Sequence, residues 1–380
     1  MNARKTVLVL TMTLATVARS GHEVPVYPSY YPHEIEIATV GPERAAGLLA
    51  EGRLHAHVGG ELRYPGVPPD TVRAIESLGS IVIVRVNPAS PLVHDDRSAC
   101  TVARAAARAI AAKGDDLIAH PYPVTPFHGD YLHHVDLADA AKARTADEAS
   151  HPSRAVLKVR ASDAATKRLV PAGWLVADAP WDVEVAEVGV STLMASATVA
   201  VNGWLGPSYV RTGWFHAHRL LGDAVEDAVK ARTDDDVHRL RTGAYGDPIE
   251  RINLERTLVN ALAASCRAIV AGYTVKREYF NAEFSAGIEN IGYDALDGFA
   301  SPIFLRTVKL KDFPWNGWLA LGTVARPVAA WNPIAGFTDP FGRLMWFAVG
   351  DPALIPSPYE HAWMINRISD AQAGPGRQPR

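Results

Sequence analysis

The chain has 380 residues, 48% of them hydrophobic, and its 38 Lys and Arg nearly balance its 41 Asp and Glu. That balance removes the basic footprint of a nucleic-acid binder, and the length suffices for one large or two ordinary domains with cores of their own. Past residue 20 no apolar run approaches the roughly 20 residues that cross a bilayer as a helix, so the processed chain is expected to span no membrane.

In chain order, the first feature is a charged start at Arg4 and Lys5, followed by an apolar run over residues 6–18 and a polar turn at Arg19, Ser20 and Gly21. This is the layout of a secretory signal peptide occupying residues 1–20, cleaved after Ala18 or Ser20, and it directs the chain to the periplasm or outside the cell. The competing reading is a buried first strand over residues 6–10, as in a cytoplasmic α/β protein. An oxidising compartment would allow Cys100 and Cys266 to pair. A buried thiol is the favoured expectation, because Cys266 follows Leu258, Val259, Leu262 and Ala263 at helical spacing and falls on a buried helix face.

Short apolar strands then alternate with helical patterns, the signature of an α/β fold. Residues 24–31 and 34–40 read as extended, 42–51 as a helix ended by Gly52, and 54–58 as a strand. Residues 70–78 read as a helix, 81–86 as an apolar buried strand, and 101–113 as an Ala-rich helix ended by Gly114. A charge-rich surface helix or connector is expected over 136–154. Beyond it come a strand at 154–159, helices near 215–232 and 249–268, and a strand at 268–273. From residue 301 the pattern turns aromatic and strand-like, at 303–310, 317–323 and 343–349.

Ten of the fourteen histidines lie at or before His151, and all nine tryptophans, Trp174 to Trp363, lie after it. This shift divides the chain into a His-rich α/β lobe, 21–150, and a Trp-rich α/β lobe, 151–368, that is more strand-rich and aromatic toward its C-terminal part, followed by a disordered tail at 369–380. A two-lobed α/β protein is therefore expected.

One resemblance rests on Pro28-Ser-Tyr-Tyr-Pro32 and on the later unit Leu48-Leu-Ala-Glu-Gly52-Arg-Leu-His-Ala56-His-Val-Gly-Gly60. Within residues 24–100 the order of strand, helix, Leu-rich segment, Gly and strand resembles the opening of a bacterial periplasmic solute-binding protein of type II. The resemblance implies two lobes closing on a ligand, with the closed form docking on a membrane permease.

Chemistry-bearing residues concentrate in the stretch from His120 to His134, where four imidazoles, Asp130, Tyr122 and Tyr131 fall among stiffening prolines. His120, His128, His133 and His134 are candidate ligands for zinc, copper or iron, although their spacing matches no standard zinc pattern. Asp130 could fix the tautomer of one of them. The alternative is a rigid loop whose histidines hydrogen-bond backbone carbonyls. His55 and His57 would share one face of a strand, whereas His216 and His218 diverge if their segment is helical, leaving His216 to face inward. The polar region around Glu278, Glu283 and Glu289 could line a cleft or supply acid and base groups. A ligand in a cleft between lobes would meet Tyr30, Tyr31, His33, Tyr122, Asp130, His216 and Glu283. Two functions follow: an exported binding protein for a small molecule or metal ion, or an exported, histidine-ligated metal-dependent hydrolase or oxidoreductase.

Overall fold

A computed structural model describes residues 32, 34–62, 64, 66–113, 117–149, 156–177, 180–195, 207–312, 317–328, 339–350, 353–360 and 362–366. The expected signal peptide, the extended run at 24–31, Gly114 and the C-terminal tail lie outside them.

The chain enters through β1 (Glu34–Thr39) and α1 (Pro42–Ala50), then β2 (Ala56–Val58) and the long β3 (Val72–Val86). Proline opens α1 at a position needing no N–H, and Gly52, at φ 70°, turns the chain out of it. Next come α2 (Asp96–Lys113), β4 (Leu117–Ala119), α3 (Val135–Ala149), β5 (Val159–Ala161), α4 (Ala164–Lys167) and β6 (Val183–Gly189). After α5 (Val190–Ala195), three helices follow, α6 (Gly213–Leu221), α7 (Asp227–Thr242) and α8 (Pro248–Ala264), and then the long β7 (Ala268–Asn281). The remaining elements are β8 (Ile288–Asn290), α9 (Pro302–Thr307), β9 (Lys309–Leu310), β10 (Trp318–Thr323), α10 (Pro340–Val349), β11 (Leu354–Pro356) and β12 (Trp363–Ile365).

Eight strands form one sheet in the order β1-β10-β2-β7-β3-β6-β5, with β4 also bonded to β7. β1, β10 and β2 run parallel to their neighbours on one side, and β5 and β6 on the other. Between them β3 and β7 pair antiparallel from Val72↔Asn281 to Arg85↔Ala268.

The buried side chains divide along these two strands. Val72 and Ile75 of β3 and Phe280 of β7 belong to cores built with α1, β1, β2, β10, α9 and α10. Leu78 to Val86 of β3 and Ala268 to Tyr273 of β7 belong to cores built with α2, α3 and α5 to α8. The α/β class is as expected, and each long strand begins in one lobe and ends in the other. The buried clusters thus divide within β3 and again within β7, whereas the sequence placed a boundary near residue 150.

A bulge falls at the crossing, where the β3–β7 register shifts between Leu78 and Ser80. Gly79 sits there, and a Cβ on it would come 2.8 Å from Thr274 Oγ1 and 3.2 Å from the backbone N of Lys276. An extra residue of this kind bends a strand and increases its local twist.

Four local expectations are also corrected. Of residues 70–78, Val72 onward is strand, because β7 offers hydrogen-bonding partners from Val72 to Leu78 and tertiary pairing overrides a weak helical spacing. Residues 303–310 and 343–349 are largely helix: Pro302 and Pro340 stand at helix starts, and Asp339 accepts from the backbone N–H of Phe341 and Gly342. The helix expected to run on to 268 stops at Ala264, so Cys266 lies beyond it and forms a disulfide with Cys100, Cα to Cα 4.7 Å. This bond ties the start of α2 to the start of β7 across 166 residues of sequence. Replacing both cysteines by serine should lower unfolding stability by about 2–5 kcal/mol, read as a shift of the urea midpoint, with the same loss on reducing the native protein.

Candidate functional site

The stretch from His120 to His134 lies in the second lobe between β4 and α3, and its polar groups point inward. Asp130 is fully buried and accepts from the backbone N–H groups of Gly213 (2.8 Å) and Trp214 (3.1 Å). A carboxylate at these orphan donors caps α6 and complements its positive end, while Thr212 caps the same turn through the N–H of Phe215. Gly213 is required there, since a Cβ would stand 2.4 Å from Val124 Cγ1.

His128 and His216 meet through Nε2 and Nδ1 at 2.9 Å. The neighbouring bonds fix the tautomers: the Thr125 N–H donates to His128 Nδ1, so His128 Nε2–H donates to His216 Nδ1, and His216 Nε2–H donates to the Val210 carbonyl at 2.9 Å. Both rings are neutral in this chain of bonds. Burial pushes both down to about 3. His120, held low chiefly by burial, has its Nε2 2.9 Å from the Val124 carbonyl. Tyr122 hydroxyl and His134 Nδ1 are hydrogen-bonded at 2.9 Å, and burial lowers His134 to about 4. His133 is partly exposed, with Nδ1 3.7 Å from Glu255 Oε2, and Arg251 holds the other oxygen of that carboxylate at 2.6 Å. Burial, then the Asp130 charge, pushes Glu255 up to about 7.

His120, His128 and His134 each have a separate hydrogen-bond partner, His133 lies beside Glu255, and among the described residues these four do not form a group of three or more His, Cys, Asp or Glu that could hold a metal ion. The reading of a rigid loop with carbonyl-bonded histidines describes His120 and His216. His55 and His57 also part company: His55 Nδ1 accepts from the Ala320 N–H, whereas His57 Nε2 bonds the Val40 carbonyl. α6 is helical, so His216 is buried and His218 turns toward Asp234 at 3.2 Å.

Among the residues expected to surround a ligand, Tyr122, Asp130 and His216 come together, but as buried supports of the loop and α6. Glu283 stands apart, its carboxylate accepting from the N–H groups of Ser285 and Ala286 in its own turn. Tyr30, Tyr31 and His33 lie outside the described residues. Glu278 is fully buried beside the crossing and accepts from the N–H of Gly59 (2.6 Å) and of Phe299 (2.8 Å), with Lys276 Nζ at 3.5 Å. It braces two first-lobe turns rather than serving as an exposed acid or base.

The seam between lobes is built from residues that their types alone did not single out. Arg211, just before α6, reaches Asp294 at 2.5 Å and Asp297 at 2.9 Å in the segment after β8. Asp294 also accepts from the N–H groups of Leu296 and Asp297, and Leu296 enters the second-lobe core. At the other side Gly129 lies against the backbone of Tyr359 and Glu360, so tightly that a Cβ would stand 2.7 Å from the Tyr359 carbonyl oxygen. The loop from His120 to His134 thus meets the seam through a glycine. The Asp294-x-x-Asp297-Gly298 turn was a readable signal, but nothing in sequence links it to Arg211.

No protein-family model matches this chain. No curated protein matches it. Solved structures that align include the periplasmic binding protein DppA from Helicobacter pylori in complex with peptide STSA, at 11% identity over 71% of this chain and 55% of that one, TM-score 0.41. HbpA2 from Haemophilus parasuis aligns at 11% identity over 70% and 56%, TM-score 0.40. OppA from Haemophilus influenzae, in complex with RPPGFSPFR, aligns at 12% identity over 71% and 57%, TM-score 0.37. This chain spans little more than half the length of each of these structures.

The buried groups set the dependence of stability on pH. His128, His216 and His134 have folded values below their ordinary 6.5, so above 6.5 they are neutral in both states and cost nothing. As pH falls from 6.5 toward 3, the unfolded chain takes up protons that the folded one refuses, and stability is lost. Glu255 has the opposite sign: its contribution is complete below 4.5 and is lost as pH rises through about 7. Three imidazoles outweigh one carboxyl over the shared range, so urea midpoints should rise from acid pH to a plateau near neutral, and Glu255→Gln, which removes the opposing contribution, should steepen that rise. His128→Ala, which leaves His216 Nδ1 unpaired, should cost about 1–3 kcal/mol at pH 7 by the same measurement.

Proposed function

We propose that the chain is an exported binding protein of the periplasm, which captures a small solute between its two lobes and presents the closed form to a membrane permease. The observation that carries this reading is the division of the buried core along β3 and β7, with Arg211 of one lobe clamped by Asp294 and Asp297 of the other. Two separately packed bodies joined by paired strands and held by a polar contact can open without unfolding either core. The signal-peptide pattern of residues 1–20 supplies the route of export. Among the described residues no helix is long and apolar enough to cross a membrane, which fits a partner that carries the channel. The metal-enzyme alternative is the weaker reading, because His120, His128 and His134 are each hydrogen-bonded to a different partner and the four imidazoles do not converge.

Arg211 is the test of closure. Removing it leaves Asp294 almost fully buried without its counter-charge, which costs about 3–5 kcal/mol of the closed arrangement. Arg211→Ala should enlarge the radius of gyration in solution scattering and abolish retention of any small molecule that native mass spectrometry finds on the wild-type protein. The milder Asp297→Asn, at a half-exposed site, should act in the same direction to a smaller extent. Unchanged scattering in both variants, or recovery of the intact chain in the cytosol with residues 1–20 uncleaved, overturns the proposal.

A further inference from the structure

A cavity of about 510 Å³ lies between α2 and α3, lined by alanines of both helices and of β7 and by Pro121 and Pro123 of the loop from His120 to His134. Arg104 and Arg108, which border it, are already engaged within the chain. The groups that stand ready for a solute lie elsewhere, on the open sheet between the two sets of cores.

Directly opposed residues of an antiparallel ladder share a face, so the β3–β7 register puts Ala74 with Tyr279, Glu76 with Arg277 and Leu78 with Val275 on one side of the sheet. Lys276 and Glu278, which alternate with them, point to the other side, where they meet the backbone of Asp297 and Phe299. The bulge after Leu78 adds one residue, so Ile81 and Tyr273 continue the first face, and Leu78, Ile81 and Tyr273 enter one core. Along this face Ala74, Glu76 and Arg277 are exposed, whereas Tyr279 is half-buried and Tyr273 buried. A strip of bare sheet therefore separates two packed walls.

Both walls are aromatic. On one side Tyr279 meets Tyr64 with ring centroids 5.8 Å apart, both packed on the cluster of Leu49 and Val72. On the other, Phe127 stands edge-on to Tyr273 at 5.8 Å, and His120 joins Tyr273 to the half-buried Tyr131. Burial above all pushes the hydroxyls of Tyr273 and Tyr279 up, and the charge of Glu76 adds to both, which places that carboxylate between the walls. On the floor Glu76 Oε1 accepts from Arg277 Nε at 2.9 Å, each side chain about half-exposed. From Tyr279 to Tyr273 the strand rises about 20 Å, too wide for one ring clasped between two others and wide enough for two linked rings laid on the floor.

The chemistry of this strip is mixed in a particular way. Tyrosine presents an apolar ring with a polar tip that stays protonated near neutral pH. Glu76 and Arg277 neutralise each other and set an acceptor beside a donor fork. A ligand bearing net charge would have to separate that pair to be met by one member of it, whereas neighbouring hydroxyls of a sugar use both at once while its C–H faces rest on the rings. We infer that the strip between the tyrosine walls binds an uncharged pyranose disaccharide, an inference that rests on the reading of the chain as a binding protein and adds the class of its solute.

The test is calorimetric titration of the full chain with cellobiose, maltose and lactose, and with trialanine and choline as charged probes. At least one of the disaccharides should bind at one site, at least tenfold more tightly than either charged probe. Glu76→Gln and Arg277→Gln, both at half-exposed positions, should each weaken it by about tenfold, and Tyr279→Leu, which keeps apolar bulk but removes the ring, should do the same. Preference for trialanine or choline, disaccharide binding undiminished in the three variants, or binding of none of the sugars overturns the inference. Capture between the lobes is judged separately by the scattering of Arg211→Ala: an enlarged radius there, with trialanine or choline bound in place of sugar, removes the sugar and leaves the binding-protein reading standing.

Discussion

The antiparallel pairing of β3 with β7 carries the rest of the molecule. Fifteen residues face fourteen, and strands of that length extend about 45–50 Å at the usual rise, more than one lobe can cover. Each half therefore collects its own helices, and two sets of cores form on one continuous backbone ladder. The bulge at Gly79 falls between them, next to the buried Glu278. That carboxylate turns two first-lobe segments onto the crossing, and one of them passes through Gly298, where φ is 65° and a Cβ would overlap the Glu278 oxygen. Backbone continuity and side-chain separation thus come from the same pair of strands.

The imidazoles serve that arrangement indirectly. From the Thr125 N–H the bonds pass through His128 and His216 to the Val210 carbonyl, and the next residue is Arg211. Asp130, on the same loop, fixes the first turn of α6, three residues further along the chain from Val210. The position of the cation at the seam is therefore set by a neutral, fully bonded network whose rings donate and accept once each. A protonated ring would break this order, since it has two donors and no acceptor. Burial keeps the rings neutral, and neutrality is what makes the chain of bonds consistent.

Much of this was legible in the sequence. The helices α1 and α2 announce themselves by Pro42 with Gly52 and by the alanine periodicity of residues 101–113, and the α/β class follows from alternation. The inward turn of His216 followed from helical geometry. What escaped is whatever depends on distant pairing. Val72, Ile75 and Leu78 recur at a spacing of three, which suggests a helix until β7 is known to lie alongside. Cys266 was read with the helix before it, although Ser265 already ends that helix. The division of the buried clusters along β3 and β7 is of the same kind, because composition records where residue types fall along the chain and not where the chain crosses. At the site, residue type drew the eye to histidine, while the cavity was made by alanine and proline, residues notable for what they leave empty.

The seam and the cavity follow opposite packing rules, and this bears on how they could influence each other. The seam is filled: Leu296 is inserted in the opposite lobe, Gly129 touches backbone, and Arg211 is nearly dry. The cavity between α2 and α3 is bordered by residues of one lobe, alanines and prolines among longer side chains such as Leu221 and Ile269. A ligand shifts a conformational equilibrium only by the difference in its affinity for the two states. A molecule held between α2 and α3 touches no group that changes partners when the lobes part, unless it moves the loop carrying Pro121 and Pro123. That loop is the one physical link, since its other end bears Asp130 and Gly129. Its prolines and its bonded histidines make it stiff, so a displacement at one end is transmitted to the other rather than absorbed.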